Sequence, residues 1–194
     1  MIHHHLTTAI NVGLDLYLNP ANQADWLALL DDTAHDDALL LKIYAEMQNE
    51  RPEVRPFASA GTAKMPLVIT QQLSKRTLHR PLGHTAAGKE SSISRQEAKI
   101  EIMAANPDFC HILSLTIYKI LQGFRSDFLH NGYLSYQLNG LEELSPSEQL
   151  AAEELGIYVQ RVNLEAMLQD ESATIRPDQL IGTLKLGTAT PFRI

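Results

Sequence analysis

A single cysteine, Cys110, stands among 194 residues. No intrachain disulfide can brace the chain, so it must fold on its apolar core. Cys110 reads as a small core residue. A reactive thiol would need positively charged neighbours, and none is identifiable in the sequence. No apolar run approaches the ~20 residues that cross a bilayer. The N-terminus lacks the basic region and continuous apolar stretch of a secretory signal. A soluble, intracellularly made protein with no membrane contact is expected. The lone tryptophan, Trp26, reads as a core or helix-contact residue rather than a binding platform.

Familiar catalytic signatures are also missing. There is no G-x-S-x-G, H-E-x-x-H, G-x-x-x-x-G-K-[ST] or G-x-G-x-x-G. A two-cysteine metal knuckle is excluded, and Cys110 and His111 are adjacent on a helix, where they point apart. Glu142-Glu143 and Glu153-Glu154 are adjacent acids that diverge on any regular element, a poor arrangement for paired carboxylate catalysis. His3, His4 and His5 resemble a truncated tag or a metal tract. A helix turns about 100° per residue, so three consecutive imidazoles cannot share one metal, and a solvated helix start is the better reading. The expectation is a non-enzyme with no cofactor and no metal. A noncontiguous site built from His79, His84, His111 and His130 stays open, since sequence cannot place them in space.

What is present is 44% apolar residues and no low-complexity tract, which indicates one domain, or one domain with extensions. The central stretch runs from Arg95 to Asn131. Ile100, Ile102 and Ala104 alternate with Lys99, Glu101 and Met103, the period of a strand with one apolar face. Asn106 then offers a capping oxygen, Pro107 suits the first helical turn and Asp108 complements the helix dipole. Phe109, Ile112, Leu113, Ile117, Ile120, Leu121, Phe124 and Phe128 follow at threes and fours, predicting one helix of about six turns. Asn131-Gly132 supplies a left-handed stop. A strand feeding such a helix implies a sheet with the helix packed on one face.

Upstream, Leu6, Ile10, Leu14 and Tyr17 form a helical stripe ended by Asn19-Pro20. Asn22/Asp25 and Thr33/Asp36 resemble capping pairs before further apolar periodicity, so residues 1–50 read as two or three helices. Residues 36–48 could instead open a buried strand at Leu39. Pro52 and Pro56 exclude a continuing helix, Val54 and Phe57 suit a short extended edge, and Gly61 to Lys64 reads as a turn. A strand runs from Leu67 through Leu73, with Pro66 at its first position. Downstream, Leu134, Tyr136 and Leu138 alternate along a strand, and Asn139-Gly140 signals a turn. Ser145-Pro146-Ser147-Glu148 starts a helix broken by Gly156, and Ile157 to Leu168 forms a long strand with Tyr158, Val162 and Leu164 near one face. From residue 169 a C-terminal arm, with the apolar run Leu180 to Leu186, either pairs with an edge strand, on this or another subunit, or forms an ordinary last strand.

Residues 74–92 form a long polar loop or an extended hairpin arm. A connection this long is usually functional or ordered by a partner. It carries Lys75, Arg76, Arg80 and Lys89, which suit DNA phosphates or an acidic protein surface. Without interleaved aromatics, stacking on single-stranded bases is disfavoured, and protein contact is preferred. The charge is uneven. Residues 1–50 hold eight acids and one base, a net −7; residues 51–89 hold seven bases and one acid, a net +6; residues 90–194 hold eight bases and fourteen acids, a net −6. Such a split either permits complementary contacts between copies or simply keeps solvated faces soluble.

Three stretches carry a family resemblance: Met65-Pro66-Leu67-Val68-Ile69 leading to Pro81-Leu82-Gly83; EAKIEIMAAN (97–106) leading into Pro107-Asp108 and the helix that ends at HNG; and GLEELSPSEQ before GIYVQRVNLEA. The order of parts resembles the tail-terminator and neck (head–tail joining) proteins of tailed bacteriophages and related contractile injection systems, over roughly residues 1–168. The resemblance implies an α+β fold: a mixed, mostly antiparallel sheet flanked by helices, with a helical N-terminal region and an extended C-terminal arm. It implies a single domain over 1–168, with the arm at 169–194. It further implies a hexameric ring that caps the tail tube and meets the head-closure or connector protein, with sheath proteins as further neighbours and non-specific DNA contact in the lumen as an option. The protein would be part of the virion, assembled in the host bacterial cytoplasm. The basic loop (Lys75, Arg76, Arg80, Lys89) and the C-terminal arm would be interface elements, and the acidic N-terminal region a face for a neighbour. The long helical front end and the tail after Asp170 depart from the pattern, which keeps another neck component, such as a head-closure or collar protein, in view. A small α/β enzyme or ligand-binding module is the third alternative.

Overall fold

A computed structural model describes residues 2–33, 35–57, 64–79, 89–131, 133–142 and 144–173, with backbone alone at 79, 89–92 and 169–173. The left-handed stop expected at Gly132, most of the turn at 61–64 and residues 174–194 lie outside the described residues. Three helices precede the sheet: α1 (Ile2–Tyr17), α2 (Gln23–Leu29) and α3 (Asp37–Asn49). The apolar spacing in α1 buries Ile2, Leu6, Ile10 and Leu14 on one side. Residues 36–48 are therefore helical rather than a strand. The expected caps are placed differently. Asn19, not Asn22, accepts from the Ala21 amide, and Asn22 turns back to donate to the Leu16 carbonyl. Asp36 is itself the cap of α3, accepting from Ala38, while the Thr33 hydroxyl donates to Leu30.

Five strands follow: β1 (Glu53–Pro56), β2 (Leu67–His79), β3 (Lys89–Ala104), β4 (Tyr133–Glu142) and β5 (Tyr158–Ala173), in the spatial order β1-β2-β3-β5-β4. Only the β1/β2 pair is parallel. The fold is thus α+β with a mixed, mostly antiparallel sheet. Pro66 precedes β2 across a cis bond from Met65. Residues 74–79 and 89–92 are strand rather than loop, the extended-hairpin alternative, and β5 continues five residues past the boundary expected at 168.

Alternation along β3 sets the layers. Ala98, Ile100, Ile102 and Ala104 are buried beneath α1 and α4 (Pro107–Gly123). Their ladder partners Val68, Thr70, Val162 and Leu164 share that inner face and are buried with them. Each fully buried Ile or Leu contributes about 1.5–3 kcal/mol, so this face carries much of the fold's stability. Asn106 caps α4 as expected, accepting from the amides of Asp108 and Phe109 at 2.9 and 3.2 Å. The helix does not run unbroken to Asn131. It stops at Gly123, and a short α5 (Arg125–His130) resumes after Phe124. Glycine is the poorest ordinary residue for holding a helix interior, and the break redirects Phe128 under β4. There it stacks on Tyr136, with centroids 4.5 Å apart, and meets Tyr133 edge-on at 5.3 Å.

Where α1 crosses α4, a Cβ on Gly13 would lie 2.3 Å from Ile120 Cγ2. Only hydrogen fits there, so glycine sets the close approach of the two helices. Trp26 is a core residue. It packs on Tyr44, and its Nε1 donates to Thr116 Oγ1 at 3.3 Å. Cys110 is buried too, its thiol facing the carbonyls of Ile102 and Tyr158 at 3.4 Å. Burial pushes that thiol up to about 11, leaving it protonated and unreactive at neutral pH. Gly140 is not a turn between strands. It sits within β4 at φ +83°, beside a register shift between Leu138 and Leu141. A second shift, between Tyr133 and Ser135, turns Tyr133 and Tyr136 both inward and leaves Leu134 48% exposed, so of the expected Leu134/Tyr136/Leu138 face Tyr136 and Leu138 pack on the core and Leu134 does not. The Ser145 to Glu148 start does form a capping box for α6 (Pro146–Glu154), which Gly156 ends at φ +66°.

Candidate assembly interface

Beyond the helices, β2, β3 and β5 continue together as an arm. Its register pairs Lys75 with Gln96 and Arg76 with Arg95 on β3. Side chains alternate across a strand, so these two exposed cations face opposite sides of the arm. Lys89 opens β3 opposite Ala173, and Arg80 lies outside the described residues. Of the four expected basic residues, the two whose side chains are described, Lys75 and Arg76, are thus not on one face. Lys75 shares a face with the helix-covered core, and Arg76 shares the outer face.

That outer face is laced with ion pairs. Arg95 meets Glu165 at 2.5 Å and Glu97 at 3.6 Å. Lys99 meets Glu101 at 2.9 Å, and Arg161 lies between Glu101 at 3.0 Å and Glu148 at 2.8 Å. The Arg161 hydrogen bonds, with help from Ser145, hold the Glu148 carboxyl at about 2. This ties α6 to the sheet. Each carboxylate here is committed to a cation, so the network fixes geometry and offers no poised acid or base.

Of the four histidines of the open alternative, the structure describes the side chains of two, His111 and His130, and each has its own partners. His111 Nδ1 lies 3.0 Å from Gln160 Nε2, with the His35 ring edge-on at 5.3 Å. His130 Nδ1 donates to the Ser126 carbonyl at 2.7 Å, near the end of α5. The His79 side chain and His84 lie outside the described residues. Among the described residues, no group of three or more His, Cys, Asp or Glu side chains is placed to hold a metal. Of the first three histidines, His4 and His5 are exposed as a solvated helix start requires, while His3 is half-buried. Desolvation, then repulsion from His4, lowers the His3 pKa. His5 Nδ1 sits 2.9 Å from the Tyr133 hydroxyl, tying α1 to β4, a link that no local sequence signal announces.

What the described sheet does offer is two outer edges of unlike character. β1 is four residues long and runs parallel to its neighbour; β4 is ten residues long and antiparallel to its own. An outer strand presents unpaired N–H and C=O groups, a template for another strand. Beside β4 runs a groove of about 520 Å³ against α4 and α5, with Tyr118, Arg125, Leu129, Leu134, Tyr136 and Leu138 among its walls. Leu129 and Leu134 are large apolar side chains left 42% and 48% exposed. The groove went unforeseen because it needs both the break at Phe124 and the register shift at Leu134. Among the described residues, no helix is long and apolar enough to cross a membrane. No protein-family model matches this chain, and no curated protein matches it.

Proposed function

We propose that this chain is a structural subunit of a phage-type tail: a tail-terminator-like ring, hexameric, that caps the tail tube and joins it to the head connector. The observation that carries this reading is one helix-backed sheet bounded by two unlike edges, β1 and β4. A closed ring of identical copies is built from heterologous contacts, in which one surface meets a different surface on the next copy. Two unlike edges on opposite sides of one sheet are suited to that role. The charge split adds support. The N-terminal helical region (1–50) carries a net −7 and residues 51–89 a net +6, so neighbouring copies can meet with complementary potential and defined register. Specificity would come from shape and charge over large surfaces rather than from a small pocket.

In this reading the arm bearing Lys75, Arg76, Arg80 and Lys89 touches the next subunit, with DNA in the lumen as its other candidate partner. The other partners are the tail tube, the sheath and a head-closure or connector protein. The protein would reside in the virion after assembly in the host bacterial cytoplasm. Cryo-microscopy of the protein mixed with its tail tube tests the reading. A ring seated on the tube end supports a terminator, and a ring bound first to the connector assigns it to head closure. A protein that never joins the particle sinks both. Neutralising Lys75, Arg76, Arg80 and Lys89 together separates the arm's roles. Lost rings mean subunit contact, and intact rings with altered DNA retention mean a lumen lining.

A further inference from the structure

Among the described residues, α6 is the one α-helix without a buried side chain. A helix this short is marginal in water on its own, and α6 is held by its capping box and by Glu148, which accepts from Arg161. At about 100° per residue, Glu148, Gln149, Ala152 and Glu153 fall on one side. That side faces the body: Gln149, Ala152 and Glu153 line a crevice with Pro107, Cys110 and Tyr158. The opposite side carries Ser147, Leu150, Ala151, Glu154 and Leu155. Leu150 is 64% exposed and Leu155 74%, the two most exposed large apolar side chains described. A lone exposed leucine needs no explanation. Two on the outward side of one helix, flanking an acid, form an apolar ridge with a negative charge.

The groove beside β4 is complementary to that ridge. Leu129 and Leu134 are its exposed apolar walls, and Arg125, also exposed, is the one charged side chain lining it. Residues 146–155 carry three acids and no base.

We propose that the outward side of α6 in one copy docks in the β4 groove of a second copy, with Leu150 and Leu155 against Leu129 and Leu134 and Glu154 beside Arg125. The ridge cannot fill the groove of its own chain. Its inward side is committed to one end of α4, at Pro107 and Cys110, whereas the groove meets the other end, at Tyr118 and Gln122. Pro107 and Gln122 lie about 22 Å apart along the helix axis, and the ridge points away from the body. Laying an amphipathic helix in an apolar groove is a recurring mode of recognition. Ridge and groove are different surfaces, so the contact is heterologous, the kind that closes a ring when its rotation allows. The inference rests on the ring reading for the presence of neighbouring copies, and it assigns the β4 side of their joint.

Charge reversal on the full-length chain tests the pairing. Arg125→Glu and Glu154→Arg change exposed side chains, so each should keep the wild-type circular dichroism. Each should weaken self-association at least about tenfold, read by sedimentation. The double variant Arg125→Glu/Glu154→Arg should recover wild-type association. Single variants that associate as the wild type does, or a double variant weaker than either single, overturn the docking and leave the ring standing. Disulfide trapping is the second measurement, since the native thiol of Cys110 is buried. Leu134→Cys and Leu150→Cys chains, mixed and oxidised, should give a covalent heterodimer. No heterodimer in a sample that still assembles overturns the docking. A Leu134→Cys/Leu150→Cys double variant that closes only within one chain overturns the second copy as occupant. A wild-type chain that never associates overturns the ring reading, and the docking with it.

Discussion

At its α4 end, the inner face of β3 presents Ala98, Ile100, Ile102 and Ala104, all buried under helices. Toward the arm the same face presents Gln96 and Ser94, buried but polar, and across the ladder Lys75 and Thr77, both exposed. β3 and β5 pair in unbroken register through both halves, while β2 shifts register against β3 only toward the arm, between Gln72 and Ser74 and between Thr77 and His79. The difference lies in what covers them. The body excludes water from an apolar face and gains its stability there. The arm buries polar side chains, Ser94 and Gln96, in place of an apolar face, so it returns less hydrophobic stability to the subunit that owns it. Such an extension makes physical sense when a surface outside the subunit uses it.

The largest effects should fall in the body. Ile102→Ala should lower unfolding stability by about 2–5 kcal/mol, measured by urea denaturation, whereas Thr77→Ala on the arm should stay within about 0.5 kcal/mol. Equal losses at both sites would erase the distinction between the halves. Gly13→Ala comes next. Helix propensity favours alanine by about 1 kcal/mol, but the clash with Ile120 at 2.3 Å brings an overpacking cost of about 1–3 kcal/mol, and the net should be a loss. Ile120→Ala removes the opposing atom, so the double variant should lose less than the sum of the two single changes. Strict additivity would show that α1 and α4 do not meet as closely as described.

The smallest effect belongs to the outer face and depends on pH. The Glu148 carboxyl titrates at about 2 in the folded chain, against an ordinary 4.5. A depressed folded value means that its contribution is present above 4.5 and fades as pH falls toward 2. Glu148→Gln should therefore lower the melting temperature slightly at pH 7, where the contribution is present, and flatten its fall across that window. An unchanged acid profile would show that the Arg161 link to α6 contributes nothing in solution.

The elements easiest to read from sequence were those whose chemistry is local. Asn106-Pro107-Asp108 marked the start of α4 because a cap, a fixed φ and a dipole partner act within three residues. The Ser145 to Glu148 box did the same for α6. The break at Phe124 was hidden because apolar spacing at threes and fours continues through Phe128 whether or not the helix does. The arm was open between two readings. Its inner face carries polar side chains such as Ser94 and Gln96, and β2 shifts register between Gln72 and Ser74, so no apolar period of two marks Ser74, Lys75 and Arg76. Thr33 and Asp36 together suit a capping box, yet the α2–α3 turn leaves Asp36 alone to cap. The edges of the sheet, and with them the candidate interface, depend on strand order. Strand order is set by packing between residues far apart in sequence, such as His5 with Tyr133.

The mass of the intact protein in solution, followed by mass photometry or sedimentation over a wide concentration range, bears most directly on the claim that unlike edges join copies into a closed ring. The account predicts one discrete species near 130 kDa, six times the 21.6 kDa chain, with no ladder of open intermediates. A single 21.6 kDa species at every concentration would contradict it.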